Sequence, residues 1–272
     1  MGIEILDSVN DPGSSGKTGD DRYGFDASAG RAWVIDGATD ATDLKPFPGA
    51  ESGAAWLAEA VSSRLVTGPL AGEAAAAYFG RVLTDVRSEA ERKSKVPLAS
   101  LPGEAMPVAS AMWLRREEGA CEFVWAGDCF AIAGTGSGEA RLIGTQEKAD
   151  AETREAGRML ALSPEERRAI LQSQRRAANA PQRGLITLNP AAGAHLNTMS
   201  VSLPPGTSVL LMTDGFFRFV EPYGLDTPAS LLARVLKDGL LPTLRALRAH
   251  ESKPHGQRLK ARDDTAAVLV RL

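Results

Sequence analysis

The chain has 272 residues, 43% of them hydrophobic and 24% charged, with a net charge of −3. That length can bury a large core, as one domain or two small ones, and the composition is ordinary for a soluble globular protein. The charge disfavours a dedicated nucleic-acid binder, no apolar stretch approaches the ~20 residues of a membrane span, and the N-terminus lacks a signal peptide's basic and apolar regions, so the expected place is the cytoplasm.

Ile3 to Leu6 reads as a first strand, followed by a polar, glycine-rich loop through Asp21. Tyr23 to Phe25 and Arg31 to Ile35 form a predicted hairpin turning at Ser28-Ala29-Gly30. A loop from Gly37 to Gly49, broken by Pro46 and Pro48, leads into Ala54, Ala55, Leu57, Ala58, Val61 and Leu65 at helical spacing. A second helix starts near Gly72 and runs through Tyr78, Leu83 and Val86 to about Lys93. Ala109 to Leu114 and Cys121 to Trp125 flank a hairpin turn, and Phe130 to Ala133 and Ala140 to Ile143 make the next pair.

Residues 145 to 183 are rich in Arg, Glu, Ala and Gln. Within them Ser163-Pro164-Glu165-Glu166 is a helix start, with a serine cap, a proline in the first turn and a glutamate that can reach back. Strands return at Met199 to Leu203 and Ser208 to Met212. A long helix runs from Thr227 or Pro228 towards His250, bent near Gly239 and Pro242, and Thr265 to Arg271 is the last strand. This order does not alternate as a doubly wound fold would; it fits an α+β protein of antiparallel sheets with helices packed outside, in one domain over residues 1–272. Cys121 and Cys129, eight apart on what reads as one strand, are too distant to bond and are expected as core thiols.

Carboxylates recur at strand ends. Asp36 ends Ala32-Trp33-Val34-Ile35, Asp128 follows Phe123-Val124-Trp125-Ala126-Gly127, and Asp214 follows Val209-Leu210-Leu211-Met212-Thr213. In mirror image, Asp263-Asp264 precedes the final strand. Antiparallel pairing brings the end of one strand and the start of another to the same edge of a sheet. Carboxylates that converge there repel unless protons or cations neutralise them, so divalent metal is the natural filling. Asp-Gly after a strand is also ordinary turn chemistry, and a lone Val-Ile-Asp-Gly reads more readily as a turn. The acidic pair Asp20-Asp21, fifteen residues before Asp36, adds to the case for a shared site.

With these motifs in this order, the chain resembles the metal-dependent protein phosphatases of type 2C, particularly their compact bacterial members. The matching features are Gly19-Asp20-Asp21, Ile35-Asp36-Gly37, Gly127-Asp128-Cys129, Thr213-Asp214-Gly215 and Asp263-Asp264, spread over nearly the whole chain. The resemblance implies a four-layer α-β-β-α sandwich of two mainly antiparallel sheets flanked by helices, with a two-metal centre at one end. By analogy Asp36 bridges the metals, the Gly37 carbonyl adds a ligand to one, and Asp214 and Asp263 hold the other. Asp20 acts through coordinated water, and Asp128 with Asp214 holds a weaker third metal. A glycine at position 37 would let its carbonyl turn toward a metal.

All-oxygen coordination suits two divalent cations, Mn²⁺ or Mg²⁺, and no His/Cys cluster exists for zinc. The implied activity is hydrolysis of phosphoserine and phosphothreonine in a phosphoprotein substrate, by in-line attack of a metal-bridging water. Asp36, Asp214 and Asp263 would act through that metal-bound water, with no covalent intermediate, and Cys129 reads as structural. The expected protein is a cytoplasmic hydrolase of signal transduction and a monomer, without nucleic-acid or membrane partners. The alternative is a catalytically weak family member acting as a metal-containing phosphoprotein-binding or signalling module.

The sequence departs from the family pattern at two places. Ala38 stands where many eukaryotic relatives have a histidine after Asp-Gly. The family's phosphate-binding arginine upstream of the acidic pair is missing; Lys17 is the nearest candidate, a point charge in place of a two-pronged clamp, and it also reads as an inert loop residue. Residues from about 144 to 197 occupy the place of the family's variable flap, here a helical insert. Arg154, Arg158, Arg167, Arg168, Arg175, Arg176 and Arg183 make it basic in patches, which reads as a solvated face or as a surface for the acidic surroundings of a substrate. His195, His250 and His255 are scattered and none is assigned to catalysis.

Overall fold

The computed structural model describes residues 1–14, 16–134, 138–145, 162–253 and 262–272. Within them two sheets stack face to face, all their pairings antiparallel. The first sheet has the order β1 (Glu4–Asp11), β11 (Thr265–Arg271), β10 (Ser208–Met212), β6 (Phe130–Gly134), β7 (Ala140–Ile143). The second runs β2 (Arg22–Asp26), β3 (Arg31–Gly37), β4 (Val108–Arg116), β5 (Cys121–Ala126), β9 (Asn197–Val201), with the two-residue β8 (Ile186–Thr187) added to β4.

The near-continuous apolar runs follow from burial on both faces of a central strand. In β3, Ala32 and Val34 point between the sheets while Trp33 and Ile35 point outward to helices. In β11, Ala266, Val268 and Val270 face the other sheet, and Ala267 and Leu269 face the opposite helical layer. Helices α1 (Gly53–Leu65) and α2 (Ala75–Lys93) cover the second sheet, where Phe79 meets Trp113 edge-on at 5.7 Å. A third helix, α3 (Pro164–Ala178), carries the expected capping box of Ser163 and Glu166 and has no buried residue. One turn of helix, α4 (Asp214–Phe217), follows β10 directly. Helices α5 (Pro228–Asp238) and α6 (Leu240–Glu251) cover the first sheet. The result is the expected α-β-β-α sandwich. Among the described residues no helix is long and apolar enough to cross a membrane.

Several boundaries differ from expectation. β1 extends to Asp11, because seven register partners along β11 hold it. The second helix begins at Ala75, three residues after Gly72. The long C-terminal helix is two helices: Gly239, at φ +86°, ends α5, and the Leu240 N–H then donates to Asp7 Oδ2 at 2.7 Å to open α6. Cys121 and Cys129 do not share a strand; Cys121 opens β5 and Cys129 lies in the turn before β6, both buried and unbonded to each other. Short helical turns at 181–183 and 190–195, and β8 between them, give residues after α3 a place on the sheet edge and against α2.

Candidate metal centre

The strand register explains how the acids meet. Arg22 lies opposite Ile35, so the residues one step beyond, Asp21 and Asp36, are neighbours at the same end of the second sheet. In the first sheet Met212 lies opposite Ala267. One step on, Thr213 N–H donates to the Ala266 carbonyl at 3.0 Å and Ala266 N–H donates to Thr213 Oγ1 at 2.9 Å. Asp214 follows as the first residue of α4, and a Cβ on Gly215 would run into the Asp264 carbonyl oxygen and Thr265 Oγ1. Glycine at 215 therefore lets α4 sit directly on the start of β11, beside Asp263 and Asp264.

The carboxyls act strongly on one another. Asp36 is held well above the usual carboxylate range by burial first, then by Asp21, Asp214 and Asp128, and its side chain shares a hydrogen bond with Asp214. Burial, reinforced by Asp128 and Asp263, pushes Asp214 up to about 7. Asp21 is also raised, by burial and by the charges of Asp214, Asp264 and Asp263, against an opposing hydrogen bond from Thr213. Its Oδ2 is buried without a hydrogen-bond partner among the described residues. A buried acceptor left open in a ring of like charges is the environment that a cation relieves.

The remaining candidates fall around this group. Asp128 is exposed in the turn between β5 and β6, with Asp36 and Asp214 within reach of its charge. Asp263 Oδ1 accepts from the Asp264 N–H at 3.1 Å, and its carbonyl accepts from Arg248 at 2.7 Å. The Asp20 side chain accepts a short hydrogen bond from Ser52, the N-cap of α1, and its N–H donates to Asp264 Oδ2 at 2.7 Å. The acid of the pair that faces Asp36 and Asp214 is thus Asp21, which the motif alone did not single out. The hairpin register could have done so, since the residue one step before β2, continuing the register past Arg22 and Ile35 towards Asp36, is Asp21.

Gly37 is not in the left-handed region, so its glycine does not serve a special backbone angle. A Cβ there would lie 2.7 Å from the Asp20 carbonyl oxygen and 2.9 Å from Asp20 Cβ, and close approach of the two acidic segments is the physical reason for glycine. Lys17 is exposed and makes no hydrogen bond or ion pair among the described residues. Burial raises the Cys129 thiol well above its usual value, so it offers no ready nucleophile. His195 is exposed, and His250 packs its ring 4.9 Å from that of Tyr223. Arg154, Arg158 and His255 lie outside the described residues.

Oxygen donors from Asp36, the Gly37 carbonyl, Asp214, Asp263, Asp128 and the Asp20-Asp21 pair are available for hard divalent cations. Among the described residues no three acidic, histidine or cysteine side chains already close around one ion-sized point. Asp36 and Asp214 lie within hydrogen-bonding reach of each other.

Solved structures of serine/threonine phosphatases share this sandwich. That of PstP/Ppp from Mycobacterium tuberculosis covers 100% of this chain and 99% of its own, with 16% identity and a TM-score of 0.61. The catalytic domain of PstP in complex with two manganese ions is similar over 100% of this chain and 99% of its own, at 15% identity and TM-score 0.57. PppA, a regulatory component of the T6SS in Pseudomonas aeruginosa, aligns over 98% and 99% with 18% identity and TM-score 0.53. At such identities the likeness is one of fold. The sequence itself matches the protein phosphatase 2C family over residues 13–259, and the chain belongs to that family. No curated protein matches it.

Proposed function

We propose that the protein is a metal-dependent protein serine/threonine phosphatase acting on a phosphoprotein. The observation that carries this reading is the set of mutually repelling carboxyls at one end of the sandwich, Asp21, Asp36 and Asp214, with Asp128 and Asp263 adding to the field. Two divalent cations, Mn²⁺ or Mg²⁺, fit a donor set made only of oxygen. Asp36 would bridge them, the Gly37 carbonyl would serve one, and Asp214 and Asp263 the other. The Asp20-Asp21 pair would act through water, and Asp128 with Asp214 would offer a weaker third place. When bound, the cations supply Lewis-acid charge and activate water for in-line displacement at phosphorus.

The chain's own contribution is positioning. Thr213 ties the end of β10 to the start of β11, so Asp214 and Asp263 are held at the same end of the first sheet. The tie from Asp20 N–H to Asp264 closes the loop from the other side. Hydrolysis then needs no side-chain nucleophile, consistent with the inward-facing Cys129.

Hydrolysis of p-nitrophenyl phosphate with added Mn²⁺, with and without a chelator, tests this reading. Turnover should depend on metal and fall by about a hundredfold or more in Asp36→Asn and Asp214→Asn, the scale of losing one preorganised charge contact. Turnover that survives both the chelator and Asp36→Asn would discard the proposal. Mn²⁺ binding without any turnover would favour the binding or signalling module instead.

A further inference from the structure

A phosphoester dianion entering an already acidic end needs cationic help from the chain. The cations around that end are mostly committed. Arg22 pairs with Glu59 and donates to the Gly19 and Asp21 carbonyls. Arg248 is shared between Asp11, Glu251, Thr265 and the Asp263 carbonyl, and Arg218 is paired with Glu251. Lys45 pairs with Asp40, and Arg168 pairs with Asp43. Lys17 lies in an exposed loop with no hydrogen bond or ion pair among the described residues.

Arg175 is different. It lies on α3, and one terminal nitrogen donates to the Thr39 carbonyl at 2.7 Å, three residues past Asp36. It forms no salt bridge among the described residues, and the rest of its N–H groups have no protein acceptor there. Burial of the guanidinium holds it below the usual arginine range, while the charges of Asp40 and Asp20 act the other way. The helix that carries it is fixed by a one-sided polar ladder: Arg168 to Asp43 at 2.8 Å, Gln172 to the Ala41 carbonyl at 3.4 Å, Arg175 to Thr39, and Asn179 to the Gly103 and Met106 carbonyls at 3.1 and 3.3 Å. Those residues are spaced to share one face of a helix. The ladder seats α3 along the segment that leaves Asp36, with Arg175 at the rung nearest the acids.

We propose that Arg175 is a phosphate-binding residue of this site, its free guanidinium edge gripping the substrate's phosphate oxygens while the bond to Thr39 holds it in place. This rests on the phosphatase reading for the reaction, and on the geometry of α3 for the residue. Guanidinium suits the task because its planar fork can offer two parallel N–H groups to one phosphate, which an ammonium cannot. An acidic end organised for cations would thereby receive the phosphate between the bound metals and a cation donated by the insert.

The test compares Arg175→Ala, Arg175→Lys and, as a control on the same helix face, Arg168→Ala with the parent. Inorganic phosphate is titrated calorimetrically into each Mn²⁺-loaded protein, and KM and kcat for p-nitrophenyl phosphate are measured separately. Arg175→Ala should weaken phosphate binding and raise KM by about tenfold or more, the scale of losing a charge-assisted hydrogen bond. Arg175→Lys should recover part of the loss, Arg168→Ala should stay within about twofold of the parent, and Mn²⁺ affinity should be unchanged throughout. Equal phosphate affinity in Arg175→Ala and parent, a parent that binds no phosphate, or an equal loss in Arg168→Ala would overturn the assignment. A parent that binds phosphate through Arg175 but hydrolyses nothing would sink the phosphatase reading and leave this one standing.

Discussion

Helices α2 and α3 are held in opposite ways. α2 buries Ala75, Tyr78, Phe79, Val82, Leu83, Val86 and Ala90 at spacings of three and four, and Tyr78 and Phe79 pack on Trp113 of β4. α3 has no fully buried residue and rests on hydrogen bonds and ion pairs to loops. Apolar packing is non-directional and strong in sum, whereas exposed ion pairs are worth little each but fix geometry. α2 therefore belongs to the stability of the sandwich, and α3 to the arrangement of what faces the acids.

The largest expected effect lies on the α2 side. Phe79→Ala should cost about 3–5 kcal/mol, read from denaturant unfolding, because it opens a cavity against Trp113. A loss below about 1 kcal/mol would mean that α2 is not part of the cooperative core.

Next comes the acidic end, which sets the ground on which α3 rests. Asp214 ionises near pH 4 when unfolded and at about 7 when folded. Between those values the folded state keeps a proton that the unfolded state has lost, so metal-free stability should fall as pH rises from about 4 to about 7, and then level off. The melting temperature in chelator should drop across that window by at least about 2–4 °C, the shift of roughly 1 kcal/mol for a chain of this size. Mn²⁺ or Asp214→Asn should flatten the decline. A melting temperature that rises through the window in chelator would contradict the raised carboxyls. Hydrogen exchange sharpens the contrast: Mn²⁺ should change protection in α3 and the loop at 39–43, and leave α2 as it was.

Smaller effects belong to α3 itself. Asn179→Ala removes the side-chain bonds to Gly103, Met106 and Arg175 and should cost about 1 kcal/mol, seen as faster exchange at the end of α3. Arg168→Ala breaks an exposed pair with Asp43 and should cost less than about 0.5 kcal/mol. A cost for Arg168→Ala matching that of Phe79→Ala would erase the distinction between the two helices.

The sequence carries the sandwich and its inner strands clearly, because runs such as Trp33-Val34-Ile35 and Val268-Leu269-Val270 are apolar on both faces, the first ending at Asp36 and the second belonging to a strand that opens after Asp263-Asp264. It carries less where local signals are short. β8 is two residues long and has no pattern of its own. The break at Gly239 reads as a bend until the Asp7 carboxylate, far away in the chain, is seen to cap a new helix. Asp21 and Asp20 look equivalent side by side, and only the register with Asp36 separates them. Arg175 is one basic residue among many, and only docking of α3 on the loop at 39–43 distinguishes it from Arg167 or Arg176.

The pairing of β1 with β11 has a consequence for how the protein can be cut or assembled. Glu4–Asp11 is hydrogen-bonded along its length to Thr265–Arg271, and β11 also carries β10 on its other edge. A fragment that stops before residue 265 loses the strand that joins β1 to β10 and leaves Thr213 without the Ala266 bonds that set Asp214 in place. The arrangement of the acidic end is thus tied to β11: a chain cut before Thr265 keeps its acids and loses the bonds that place Asp214.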